Sequence, residues 1–155
     1  MKKKLKQIIT IIMALVLFLG CGEVFRYLLI DDTKSYTRLM MHQLYHSDEN
    51  IDVLFVGSSH VYRSLIPEIT DKGLGAYTFN VGTSGQQLDG SLVLIKEAIQ
   101  SNDVSDIYLE VYYDIATKPE YKERTLMTDV YLISDYMRPS FNKLQYLLQA
   151  SVLTH

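Results

Sequence analysis

The pattern of apolar and polar positions divides the chain at about residue 30. The stretch from Ile8 to Gly22 carries no charge, and Lys2, Lys3, Lys4 and Lys6 precede it. As a helix rising about 1.5 Å per residue it reaches roughly 22 Å, short of a hydrocarbon core of about 30 Å. Lysines reaching back to the headgroups cover part of the shortfall. Beyond Glu23 and Arg26 the apolar character resumes at Tyr27, Leu28, Leu29 and Ile30. A transmembrane anchor over 1–30 is therefore predicted, and the lysine cluster places its N-terminus in the cytoplasm and the rest of the chain outside. A cleaved signal peptide, and a lipoprotein signal using Cys21, are the two other readings of this stretch. All three export the remainder of the chain.

The period then changes. Over 31–50 the residues Tyr36, Leu39, Met40 and Leu44 recur at helical spacing, with Thr33 available as an N-cap, which predicts an amphipathic linker helix. Ile51, Val53, Leu54, Phe55 and Val56 form a continuous apolar run ending at Gly57, the pattern of a strand buried on both faces. Further strands are predicted over 76–81, ending at Gly82, and over 107–112, ending near Asp114. Between them a helix over 88–100 carries Leu88, Leu92, Ile95 and Ile99 on one stripe, as expected of a crossover lying on the sheet. A short helix over 126–133 and another over 141–152, opened by Pro139 and Ser140, complete the pattern. Residues 51–155 thus read as a flavodoxin-like, doubly wound α/β domain: a parallel sheet in a three-layer α/β/α arrangement. Gly57, Gly82 and Asp114 fall at strand carboxyl ends, where such sheets bind ligands.

Composition narrows the function classes. With 48% hydrophobic and 21% charged residues, the chain is that of a folded protein. A net charge of −3, with the one dense basic cluster set before the apolar run, argues against nucleic acid as a partner. Cys21 is the only cysteine, so no intrachain disulfide forms. Its plainest role is that of a small apolar residue in the anchor.

Candidate chemistry sits in two loops. IDVLFVGSSHVYRS places Ser58 and Ser59 just past a buried strand, where glycine permits a tight turn and N–H groups can face an anion. FNVGTSGQQ puts Asn80, Gly82, Ser84 and Gly85 at the next strand end, facing the same crevice. Each segment alone is also ordinary turn chemistry. Together, over about residues 52–114, they resemble the SGNH/GDSL hydrolase superfamily, whose first block is a Gly-Asp-Ser turn and whose second is a glycine after the next strand. The closer resemblance is to its membrane-anchored branch of cell-envelope acyltransferase-like proteins, in which Gly-Ser-Ser is common. The resemblance implies Ser59 as nucleophile and the backbone N–H groups of Ser59 and Gly82 as oxyanion donors. Ser58, His60, Asn80, Ser84 and Asp114 are then expected to line the site.

The departures from that pattern matter equally. IYLEVYYD lacks the asparagine that the family places near the end of strand three, and Tyr113 and Asp114 are the nearest polar groups. Asp114 equally suits a cap on the following turn. Glu110 is expected to face a polar crevice or a neighbouring charge. The family's C-terminal Asp-x-x-His has no counterpart, since Val152 stands three before His155. Without that pair the serine lacks its usual base. His60 follows Ser59 directly, and side chains that alternate faces make it a poor base, so a turn or surface histidine is expected. His42 and His46 lie one helical turn apart with no carboxylate at matching spacing. They are read as a solvated face, and no metal or cofactor is expected. Tyr131, Tyr136, Arg138 and Lys143 suit either a carbohydrate groove or, preferably, aromatic core packing.

These readings predict an SGNH-like serine ester hydrolase or O-acyltransferase acting on an extracytoplasmic carbohydrate or envelope polymer, alongside a membrane-bound acyl-transfer partner. The alternative is a noncatalytic membrane-anchored binding or scaffold module. With three legible strands where the resembled domain has about five, a piece of a longer enzyme, inactive alone, is the accompanying expectation.

Overall fold

The computed structural model describes residues 2–29, 35–113 and 127–153. The chain divides into two compact units, Met1–Lys34 and Ser35–His155. The first unit holds one helix, α1 (Lys2–Leu29). Its 28 residues span about 42 Å, enough to cross a hydrocarbon core with turns to spare. The helix runs unbroken past Glu23 and Arg26, which pair across one turn at 2.8 Å. Apolar side chains from Leu5 to Leu28 lie all round its circumference. By length and composition α1 is able to cross a membrane.

The second unit is a mixed α/β fold. In chain order it comprises α2 (Tyr36–His46), β1 (Val53–Val56), α3 (Ser59–Ser64), α4 (Pro67–Leu74), β2 (Thr78–Asn80), α5 (Leu88–Ile99), β3 (Asp106–Leu109), α6 (Met127–Ser134) and α7 (Phe141–Leu153). The three strands form a parallel sheet in the order β2-β1-β3. Val53 pairs with Thr78 on one side and Asp106 on the other, so all three carboxyl ends finish at one edge. Central β1 is buried throughout, as its continuous apolar run requires.

One sheet face carries the main core. Ile51, Leu54, Val56, Phe79 and Val81 pack with Met40, Met41 and Leu44 of α2, Val93, Leu94 and Ala98 of α5, and Val130, Ile133, Tyr146 and Ala150 of α6 and α7. The opposite face is smaller, with Val53 and Phe55 packing on Val61 of α3. β3, one of the two edge strands, leaves Ile107, Tyr108 and Leu109 exposed.

Several expectations change in detail. The expected linker helix, α2, contributes to the core, and its cap is Ser35, whose Oγ accepts from the Arg38 N–H at 3.3 Å. Thr33 lies outside the described residues. The buried face of α2 is Thr37, Met40, Met41 and Leu44, rotated from the stripe through Tyr36 and Leu39. On α5 only Ile95 of the predicted stripe packs against the core. Leu88, Leu92 and Ile99 are exposed, while Gly90, Ser91, Val93, Leu94, Glu97 and Ala98 are buried. Close approach accompanies this: a Cβ on Gly90 would lie 2.8 Å from Ile133 Cδ1, so only a glycine there lets α6 come so near. Two helices escaped the periodicity argument. α3 and α4 are too short for a period to register, although Pro67 at the start of α4 and Gly75 beyond it, at φ 65°, mark both ends of the second.

Candidate functional site

The site is built where the strands end. The ladder continues past β1 and β2: the Val81 N–H donates to Phe55 O at 2.9 Å and the Thr83 N–H to Gly57 O at 3.1 Å. On the other side the Glu110 N–H donates to Val56 O at 2.8 Å. Three loops are thereby held side by side, carrying Gly57 to His60, Asn80 to Gly82, and Glu110.

Glu110 organises the first of them. Its Oε2 accepts from the Ser58 N–H at 2.7 Å and from the Ser58 hydroxyl at 2.8 Å. Its Oε1 lies 2.8 Å from His60 Nδ1. A ring nitrogen facing a carboxylate carries the proton, so Nδ1–H is the donor and the lone pair sits on Nε2. Burial of Glu110 works against ionisation. The Ser58 N–H, the Ser58 hydroxyl and His60 outweigh it and hold the carboxyl below its usual range. Tyr112 flanks the imidazole, ring centroids 5.2 Å apart.

Ser58 and Ser59 are not equivalent. Ser58 is the N-cap of α3; its Oγ also accepts from the His60 N–H at 3.5 Å and lies 3.1 Å from His60 Nδ1. Its hydroxyl is fully engaged in shaping the turn. Ser59 opens the helix, and among the described residues neither its N–H nor its hydroxyl has a hydrogen-bond partner, as expected of the first turn.

Glycine is required at two places in this crowded edge. A Cβ on Gly57 would fall 2.6 Å from Glu110 Oε2 and 2.5 Å from Val61 Cγ2. A Cβ on Gly82 would fall 3.1 Å from Ser58 O and 3.0 Å from Tyr62 N. The glycines read from the sequence as turn formers serve instead as gaps through which neighbouring loops meet.

Asn80 fixes the second loop. Its Nδ2 donates to Val61 O at 3.0 Å and to Leu65 O at 3.2 Å, tying the end of α3 to β2, and its Oδ1 accepts from the Gly82 N–H at 2.9 Å. The Gly82 N–H, expected as an oxyanion donor, is thus already donated to Asn80. Ser84 lies exposed in the turn before Gly85, whose φ is 66°. Beneath that turn, buried Gln86 accepts from the Thr83 hydroxyl at 2.9 Å and donates to Ser91 Oγ at 3.0 Å. Asp114 lies outside the described residues, as does His155.

The remaining candidates fall elsewhere. Tyr136 packs partly buried against the core, Tyr131 is exposed, and Arg138 spreads over the Tyr45 ring at 4.2 Å while donating to Tyr45 O at 2.7 Å. Lys143 donates to Met137 O at 3.2 Å. These contacts are packing, not a groove. His42 and His46 stack at 4.3 Å, and His46 Nδ1–H donates to His42 O at 2.8 Å.

The role of Glu110 was the part of the site hardest to read from sequence. Its signal was a lone charge inside IYLEVYY: a carboxylate at a strand end among apolar residues needs a partner. Which partner, only the register of β3 against β1 reveals. No family model, no curated protein and no solved structure matches this chain.

Proposed function

We propose that this protein is a membrane-anchored serine ester hydrolase or O-acyltransferase of SGNH-like character, with Ser59 as nucleophile. The observation that carries the reading is the contrast within one turn. Ser58 and His60 are tied down by Glu110, while the hydroxyl between them is left unengaged at the carboxyl end of the central strand. Strand carboxyl ends are where open parallel sheets bind ligands, and an unengaged hydroxyl beside its own free backbone N–H suits attack on an acyl carbonyl. The resemblance of the Gly57-Ser58-Ser59 and Gly82 blocks to that superfamily supports the same assignment, and with it a flavodoxin-like layering of the domain.

The apolar helix α1, behind its lysines, supports an anchor with a cytoplasmic N-terminus and the domain outside the membrane. The substrates at hand there are acylated envelope carbohydrates or polymers, with a membrane-bound acyl donor as partner. The test is a serine-directed fluorophosphonate applied to the full chain in detergent, read by intact mass. One adduct is expected on wild type and on Ser58→Ala, and none on Ser59→Ala. An unmodified wild type overturns the reading in favour of a noncatalytic binding module, and equal labelling of Ser59→Ala overturns it by moving the chemistry to another residue or favouring that module.

A further inference from the structure

The proposed nucleophile needs a base to take its proton. The first turn of α3 carries a candidate. We infer that His60, oriented by Glu110, is the base of this site, an inference that rests on the assignment of Ser59 as nucleophile.

The imidazole is held as a base must be. Nδ1–H donates to Glu110 Oε1 at 2.8 Å, which fixes the tautomer and the plane of the ring. The basic lone pair is left on Nε2, at the far edge. Glu110 is itself fixed, because Oε2 takes two hydrogen bonds from Ser58 and Gly57 leaves it the room to do so. The His60 side chain is 61% exposed while that of Glu110 is only 20% exposed, so the orienting carboxylate is sheltered and the ring is open to solvent. Tyr112 stands against the ring and limits its rotation. A histidine serving only to cap the turn through Ser58 would need neither a carboxylate on Nδ1 nor an open Nε2.

Ser59 and His60 are consecutive, so the proton passes through one bridging water rather than directly. Ser59 Oγ bonds to the acyl carbon and its proton moves through that water to His60 Nε2. The carbonyl π pair becomes the oxyanion. Collapse of this intermediate breaks the bond to the leaving alcohol, whose oxygen takes the proton back from Nε2–H, leaving acyl-Ser59. The reverse sequence with water or an acceptor hydroxyl completes hydrolysis or transfer. Glu110 is a positioning residue throughout.

The experiment measures the rate of fluorophosphonate adduct formation at Ser59 in the full chain in detergent across pH 5–9. His60→Ala should slow labelling about 100-fold. Added imidazole should restore it, which a purely structural loss would not allow. Glu110→Gln keeps the shape but removes the charge. It should slow labelling, since Glu110 is the group that orients the ring and Ser58 and Tyr112 are its other partners. Circular dichroism on each variant confirms the fold. If His60→Ala labels as fast as wild type, or if imidazole fails to rescue a folded His60→Ala, the inference is overturned and the Ser59 reading stands. If wild type takes no label, both fall.

Discussion

The carboxylate of Glu110 reaches across the end of the sheet to take both the backbone N–H and the hydroxyl of Ser58, at 2.7 and 2.8 Å. One side chain from the residue just past β3 thus sets the conformation of the turn after β1. That relationship makes the turn sensitive to charge and to volume in ways that can be measured.

Acid should loosen it. Glu110 has its carboxyl held below the ordinary value of 4.5, so its contribution is fully present above that value and is lost as pH falls through its lower folded-state value. Urea midpoints measured from pH 7 down to pH 3 should show a decline below about 4.5. In Glu110→Gln that part of the decline should be absent, with the starting stability at pH 7 lower.

Volume should matter at Gly57. A methyl group there meets Glu110 Oε2 at 2.6 Å and Glu110 Cβ at the same distance. Gly57→Ala should therefore cost about 1–3 kcal/mol in urea unfolding, the usual range for overpacking. Because Glu110 must move, the cost should be partly shared: in a double mutant with Glu110→Ala the two losses should sum to more than the combined loss.

A second buried carboxylate gives an independent prediction away from the site. Glu97, 4% exposed, accepts from the Tyr45 hydroxyl at 2.7 Å, Ser140 Oγ at 3.0 Å and Asn142 Nδ2 at 3.1 Å, joining α2, α5 and the start of α7. Glu97→Ala strands three donors and should destabilise by about 3 kcal/mol. Burial, followed by the Glu97 hydrogen bond, raises the Tyr45 hydroxyl above its ordinary value of 10. Glu97→Gln should bring its ionisation, followed by ultraviolet absorbance, back toward that value.

Asp129 runs the opposite way. Burial, then the nearby charge of Asp89, raises its carboxyl above the ordinary 3.8, so ionised Asp129 opposes folding. The penalty is present in full above the raised value and vanishes as pH falls toward 3.8. Asp129→Asn should raise the urea midpoint at pH 7, with the gain disappearing near pH 3.5. A loss of stability at pH 7 would show that the carboxylate is satisfied rather than frustrated.

Local chemistry determined a good deal of this protein without help from the tertiary fold. A run of apolar residues behind four lysines reads as a helix long and apolar enough to cross a membrane, because length and composition alone decide that. The run from Ile51 to Val56 reads as a central strand because only burial on both faces tolerates it, and the glycines after β1 and β2 mark where chain meets chain. What depended on register and packing was invisible to periodicity. α5 buries the face of Gly90, Val93, Leu94 and Ala98 rather than the stripe through Leu88, Leu92 and Ile99, since the elements packed against it decide which face turns inward. Ser58, His60 and Glu110 are separated by up to 52 residues, and no local rule couples them. They meet because Val56 pairs with Leu109, which sets the residue after β3 beside the turn after β1. The candidate nucleophile was legible in the motif; the partner that orients its neighbour was decided by a parallel strand pairing.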